Sequence, residues 1–379
     1  MIRVLHYMKE LDYGGIESFV FNHYKYIDKK FFHFDFLIET DSQGVYEKEI
    51  KEWNIKKYIV DISGKRNYLE IYRKYYTFFK KNKDMFDVVH FEAVGPNACS
   101  VCIIYAAKRA GIKARIIHSH MAMNKSELSL IRRIKIVLFR YILSSIGTCY
   151  IACSKAADEF AYSKKRREKG VYIFNNAIDI KNYKYSMSAR QKIREELFVD
   201  EKTLLLGNVG RILRRKNQIF MVKVMEELLK REKRIKLLIV GAPSTGDQVY
   251  MNELQKYIRE KGLQDKVIFT GNRTDIPQIL SAMDIFLFPS ENEGLGIVGI
   301  EAQASGIPIL ASEKISKEMD VSQTVIWMEK QSMPSEWADV IENIALGRKD
   351  NSICLMQAGY DIKDNVYKLE DIYINECKG

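Results

Sequence analysis

The chain has 379 residues, more than a single core of ordinary size uses and enough for two domains. With 47% hydrophobic and 29% charged residues it is globular, neither disordered nor fibrous, and no apolar run approaches the ~20 residues of a membrane-spanning helix. A formal net charge of +11 favours anionic partners such as phosphorylated substrates or acidic lipid; no nucleic-acid-recognition motif accompanies it, so nucleic acid is set aside.

From Met1 the chain passes directly into an apolar strand at residues 2–7, without the basic, apolar and small-residue zones of a secretory signal. A cytoplasmic location is expected, with all six cysteines reduced. Cys99-Ser-Val-Cys102 has redox or zinc spacing, but it lies in an apolar helical stretch without a second pair, so buried structural thiols are expected.

After a loop at 12–17 and a helix to about residue 27, strands are predicted at 34–38, 58–61, 87–91, 114–118, 150–153 and 171–174, most of them separated by helical patterns. A polar stretch, 181–201, breaks that rhythm and marks a domain boundary. A second series follows at 203–209, 237–240, 267–270, 284–288, 307–310 and 325–328, and the tail from about 350 is helical in period. The expectation is α/β: two doubly wound, Rossmann-like domains facing a cleft. The first covers 1–183, with 360–379 crossing back to pack on it, and the second covers 184–359. Two basic stretches fall in the first half, at 131–140 and 164–169. The former is amphipathic and reads either as a helix lying on an anionic membrane or as a packed helix with a solvated basic face.

Ligands of such sheets bind beyond the carboxyl ends of the strands. Segments expected there are Tyr13-Gly14-Gly15, His118-Ser119-His120, Gly210-Arg211 through Lys216, Gly241-Ala242, Gly271-Asn272-Arg273, and Phe288-Pro-Ser-Glu-Asn-Glu-Gly-Leu-Gly296 running on to Glu301. Gly14 and Gly15 permit positive φ and close approach of a ligand. Arg211 and Lys216 would reach a diphosphate, one by its fork and one as a point charge. The glycine-rich turn before Glu301 opens a helix whose N-terminus is an anion site. No G-x-G-x-x-G fingerprint follows any predicted strand.

Glu293 and Glu301, separated by seven residues and followed by Ser305-Gly-Ile-Pro308, resemble the donor signature of family 4 glycosyltransferases. Val209-Gly-Arg211 with Lys216 is similar to that family's diphosphate clamp, and Tyr13-Gly-Gly-Ile-Glu17, His118-Ser-His120 and Asn176-Ala-Ile-Asp179 match further landmarks in order. The first half, with Phe34-Asp-Phe-Leu37, is most similar to bacterial exopolysaccharide and capsule enzymes. The resemblance implies a GT-B fold and retaining transfer from a nucleotide diphosphate sugar, a UDP-sugar by kinship, with no cofactor and no metal. The implied catalytic set is Glu293, His118, Arg211 and Lys216. Glu301 would hold the ribose hydroxyls, Glu293 the sugar near its 3- and 4-hydroxyls, and His118 its 6-position and the phosphate. Gly14, Gly15, Gly294, Leu295 and Gly296 would line the donor, Asn272 and Arg273 the base, and His120 and Glu92 the acceptor side. Glu92 follows Phe91 where relatives often carry histidine, and Ala177 stands where many have glycine. The implied partners are the nucleotide sugar, a saccharide acceptor carried on lipid, and an anionic membrane surface at which the enzyme is peripheral. A nucleotide-sugar epimerase of the same architecture and a non-catalytic nucleotide-binding subunit are the alternatives.

Overall fold

Strands that are buried on both faces must be apolar throughout, and parallel sheets covered by helices demand such strands. The computed structural model describes every residue except 12–13, 41–45, 63, 65–66, 93–94, 121–128, 244–245, 292, 294–295 and 379. It divides into two units, Met1–Ala177 with Ile362–Gly379, and Ile178–Asp361.

The first unit holds strands β1 (Ile2–Tyr7), β2 (Phe32–Ile38), β3 (Lys57–Ile59), β4 (Val88–Phe91), β5 (Ala114–Ser119), β6 (Cys149–Ala152) and β7 (Tyr172–Ile173). They form one parallel sheet in the order β3-β2-β1-β4-β5-β6-β7. One core lies on each face: Leu5, Val89, Phe91 and Ile117 on one side, Val4, Phe34, Phe36 and Ile116 on the other. The C-terminal helix Ile362–Lys378 packs on the helix Gly15–Tyr26 and on β4, burying Val366, Leu369, Ile372 and Tyr373. The half-buried thiols of Cys99 and Cys102 sit in the helix Ala98–Ala110, and burial raises both, Cys99 to about 11; neither is activated.

The second unit holds β8 (Leu204–Val209), β9 (Ile235–Val240), β10 (Val267–Gly271), β11 (Ile285–Phe288), β12 (Ile309–Ser312) and β13 (Val325–Met328). Their order is β10-β9-β8-β11-β12-β13, again all parallel. The sequence boundary at 183/184 is corrected to 177/178, because Ile178 donates to the Tyr360 carbonyl at 2.9 Å and bridges Asp361, which draws both chain crossings into this unit.

The polar stretch 181–201 is also more than a boundary. It contains the helices Ile180–Tyr183 and Met187–Glu196, and the second packs on the helix Ile276–Ala282. Its polarity conceals a buried fastening. The Arg194 side chain is 1% exposed, and its guanidinium donates to the carbonyls of Ala282 (3.0 Å), Asp200 (2.6 Å) and Thr203 (2.6 Å) while pairing with Asp284 at 3.2 Å. Arg194→Ala would strand those carbonyls and the Asp284 carboxylate, at a cost of about 3 kcal/mol. Denaturant unfolding of the variant should show that loss, and a change below about 1 kcal/mol would refute the role.

Candidate active site

In the second unit the strand order turns back between β8 and β11, and the crevice beyond the carboxyl ends of these two strands is where doubly wound sheets take ligands. β8 ends at Val209 and β11 at Phe288, so residues 210–216 and 289–301 flank the crevice. The backbones there run very close together. A Cβ on Gly241, which has φ +129°, would lie 2.2 Å from the Gly210 carbonyl oxygen. The Glu291 amide donates to the Arg215 carbonyl at 2.7 Å and fastens the two strand-end loops to each other.

Lys216 closes the short helical turn Arg214–Lys216 and is 8% exposed. Its ammonium stands 2.7 Å from Glu293 Oε1 and 5.2 Å from the Phe288 ring centroid. Arg215 reaches the same carboxylate oxygen at 3.0 Å. Burial lowers the Lys216 pKa below its ordinary value, and the Glu293 carboxylate opposes that shift. Two residues that the sequence assigned to different parts of a ligand are therefore paired with each other. Arg211 lies in the same loop, and its carbonyl accepts from Gln218 at 3.0 Å.

Gly296 caps the helix Ile297–Ala304 with φ +65°, and a Cβ there would press the Phe288 ring at 3.0 Å. One turn into that helix, Glu301 accepts a hydrogen bond from the Tyr183 hydroxyl at 2.7 Å. Burial pushes the Glu301 carboxyl up to about 7, and the Tyr183 bond pulls it the other way. Tyr183 and Arg215 were not singled out in the sequence. Arg215 adjoins Lys216, but Tyr183 lies 118 positions from its partner, and no local pattern announces it. Arg273 is clasped by Glu196 and by Asp275 at 2.7 Å, so the cation expected at the base is engaged by two carboxylates, while Asn272 is exposed. Gly294, Leu295 and Tyr13 lie outside the described residues.

The remaining sequence-predicted residues belong to the first unit. Gly14 is extended, with φ −157°, and Gly15 opens its helix with nothing nearer to a built Cβ than Asn176 at 4.0 Å. The positive φ expected of this pair is therefore absent, because a helix cap in the extended region suits any residue. His118 lies within β5 instead of following it, and His120 is the residue just past the strand end.

Glu92 follows β4 and is 0% exposed. It is the centre of a histidine cluster. Its Oε1 is 3.0 Å from His6 Nδ1 and 3.4 Å from His90 Nε2; its Oε2 is 3.1 Å from His118 Nδ1 and 2.6 Å from His120 Nε2. Four imidazole nitrogens thus face the four lone-pair sites of one carboxylate. Parallel register places His6 opposite His90 on β1 and β4, and Tyr373 hydrogen-bonds His90 Nδ1 at 2.8 Å.

Burial opposes the charge on Glu92, yet the histidines His90, His118 and His120 hold its carboxyl well below the usual range. Burial pushes His118 down to about 4 and His23 to about 3, and lowers His90. His120 resists its own burial and is raised to about 9 by bonds to Cys153 and Glu92. Glu92 is thus held toward its anionic form and His120 toward its cationic form, while burial favours neutral His90 and His118. The triplets His6–His90–Glu92 and Glu92–His118–His120 have ligand atoms within 4.8 Å and a composition suited to a transition metal. With a hydrogen on each nitrogen facing Glu92, the single Tyr373 proton goes to His90 at 2.8 Å and leaves His6 Nε2 at 3.4 Å.

The family of glycosyl transferases group 1 matches residues 189–354. A Bacillus subtilis (strain 168) protein named as a glycosyltransferase, EpsF, is 29% identical over 98% of this chain and 96% of its own. The Staphylococcus aureus capsular polysaccharide biosynthesis glycosyltransferase CapH is 24% identical over 99% of both. Among solved structures, Anabaena Alr3699/HepE, crystallised with UDP and glucose, superimposes with a TM-score of 0.70 at 18% identity, over 100% of this chain and 98% of that one. That likeness is one of fold.

The histidine cluster dictates a pH profile for stability. His23, His90 and His118 are lowered in the fold, so stability falls as pH drops below the ordinary histidine value of about 6.5. His120 is raised to about 9, so its contribution is complete below about 6.5 and is lost as pH rises to 9. Denaturation midpoints should peak near neutrality. Glu92→Gln should cost about 3 kcal/mol and diminish the alkaline decline, the Cys153 bond keeping part of it, whereas an unchanged alkaline limb would break the assigned pairing.

Proposed function

We propose that this chain, which is a glycosyltransferase with a GT-B fold, moves a sugar from a UDP-sugar to a lipid-linked saccharide in exopolysaccharide or capsule synthesis, with retention at the anomeric carbon. One observation carries the donor assignment: Lys216, Glu293 and Glu301 are gathered at the strand-order switch of the second unit, beside a helix that starts at a left-handed glycine. Two features of relatives support the sugar chemistry. The Staphylococcus aureus relative aligned over the whole chain is named for capsular polysaccharide biosynthesis, and a neighbour in fold was crystallised with UDP and glucose.

In this reading Glu301 accepts from the two ribose hydroxyls, which suits a carboxylate meeting a vicinal diol. Lys216 and Arg211 take the diphosphate, and Glu293 turns from Lys216 to the sugar hydroxyls. The bond from the anomeric carbon to the phosphate oxygen breaks while the acceptor oxygen bonds to the same face. The departing phosphate oxygen takes the acceptor's proton. The negative charge that develops meets Lys216, Arg211 and the N-terminus of the helix Ile297–Ala304, so no metal is required.

The acceptor's lipid has a matching surface. The helix Leu130–Ile146 buries only Leu143 and Ile146 against the described residues. Ile131, Ile134, Leu138 and Tyr141 recur along one side and are exposed, flanked by Arg132, Arg133 and Lys135. An apolar stripe bordered by cations fits the interface of an anionic bilayer. No helix among the described residues is long and apolar enough to cross a membrane.

Lys216→Ala and Glu301→Ala should each weaken UDP binding about tenfold or more in titration calorimetry, while Glu293→Ala mainly lowers turnover. Unchanged UDP affinity in both of the first two variants would overturn the donor site. UDP release from the correct UDP-sugar should depend on added lipid-linked acceptor and survive EDTA; release of an altered sugar without acceptor would identify an epimerase. Flotation with phosphatidylglycerol vesicles should be lost on combining Ile134→Glu with Leu138→Glu, and binding indifferent to anionic lipid would refute the membrane surface.

A further inference from the structure

Tyr183 lies outside every donor-signature segment, yet it is bonded to one of that signature's two carboxylates. It ends the one-turn helix Ile180–Tyr183, which packs on the helix Ile297–Ala304 that carries Glu301. Its anchorage is firm: Ile180 is fully buried, and Asp179 caps the turn by accepting from the Asn182 amide at 3.3 Å. From there the Tyr183 hydroxyl donates to Glu301 Oε1 at 2.7 Å.

We propose that Tyr183 is a positioning residue for the nucleotide: its hydroxyl fixes the Glu301 carboxylate in one orientation and favours its charged form. The inference rests on the assignment of Glu301 to the ribose. A carboxylate has four acceptor sites, and the phenol occupies one on Oε1. Three remain, enough for both hydroxyls of a vicinal diol, so Tyr183 need not leave when nucleotide arrives.

The charge state makes this more than packing. A neutral carboxyl accepts poorly from two hydroxyls at once, and burial holds the Glu301 carboxyl close to neutrality, at about 7. Other titratable groups on the elements packed against its helix are Lys181, Cys354, Lys317 and Glu318. The influences that set its ionisation are burial, which raises it, and the Tyr183 bond, which lowers it. Removing the phenol hydroxyl moves the carboxyl further upward, and nucleotide then binds well only at higher pH.

The test is UDP affinity from pH 6 to 9 for the full-length protein, Tyr183→Phe and Glu301→Gln, each checked for an unchanged melting temperature. A shift of about one pKa unit makes Tyr183→Phe roughly fivefold weaker than the parent at pH 7 and nearly equal at pH 9. The ratio between the two proteins cancels the titration of UDP itself. Glu301→Gln should be weaker at every pH. If Tyr183→Phe tracks the parent throughout, or is weaker by the same factor at all pH, the positioning role is overturned while the ribose assignment stands. If Glu301→Gln binds as the parent does, the ribose assignment fails instead. Should Tyr183→Phe prove unstable, Tyr183→Trp keeps a ring without the hydroxyl's geometry and must show the same pH-dependent loss.

Discussion

A buried ammonium cannot stand without a counter-charge, and in the second unit that requirement is met by one carboxylate oxygen. Glu293 Oε1 accepts from Lys216 at 2.7 Å and from Arg215 at 3.0 Å. Taking either partner away would leave an uncompensated charge in a poorly hydrated crevice. The Glu291–Arg215 backbone bond and the close approach of Gly241 to Gly210 bring the strand-end loops together so that this pair can form. A diphosphate carries the same sign as the carboxylate it would replace. In the proposed donor site the diphosphate would take the place of that carboxylate at Lys216, one anion for another, without exposing the ammonium.

The first unit applies the same rule with imidazoles. Glu92 lies at the centre of four histidines: His6 and His120 hydrogen-bond it, His90 and His118 bring nitrogens to 3.4 and 3.1 Å, and its carboxyl is held well below the usual range. This cluster lies where β1 and β4 meet, the place where that sheet's strand order turns back. Buried charges thus stand at the switch points of both sheets.

Much of the fold was legible because both sheets are parallel and covered on both faces. Their strands are predominantly apolar, and β1 and β13 fall where the sequence places them. The helix Met187–Glu196 was not legible, since hydrophobic period misses a helix whose buried face is made by Arg194. Glu293, Lys216 and Glu301 could be located from turn chemistry and strand ends, but not their pairing, since Lys216 and Glu293 are brought together only by the β8–β11 neighbourhood. The surroundings of Glu92 were not legible either, since recognising the four histidines on and after neighbouring strands as its partners requires the register of β1, β4 and β5. Tyr183 left no sequence signal at all.

The proposed exchange of carboxylate for diphosphate at Lys216 is open to a direct measurement: UDP affinity and turnover of Glu293→Gln against the parent. The amide keeps the shape of the side chain and removes its charge, so Lys216 loses its standing competitor. UDP, which has no sugar for Glu293 to hold, should bind severalfold more tightly, while transfer from the UDP-sugar falls. Weaker UDP binding by Glu293→Gln would contradict the account, because it would mean that the pair serves to hold the loop and not to hold the place of the diphosphate.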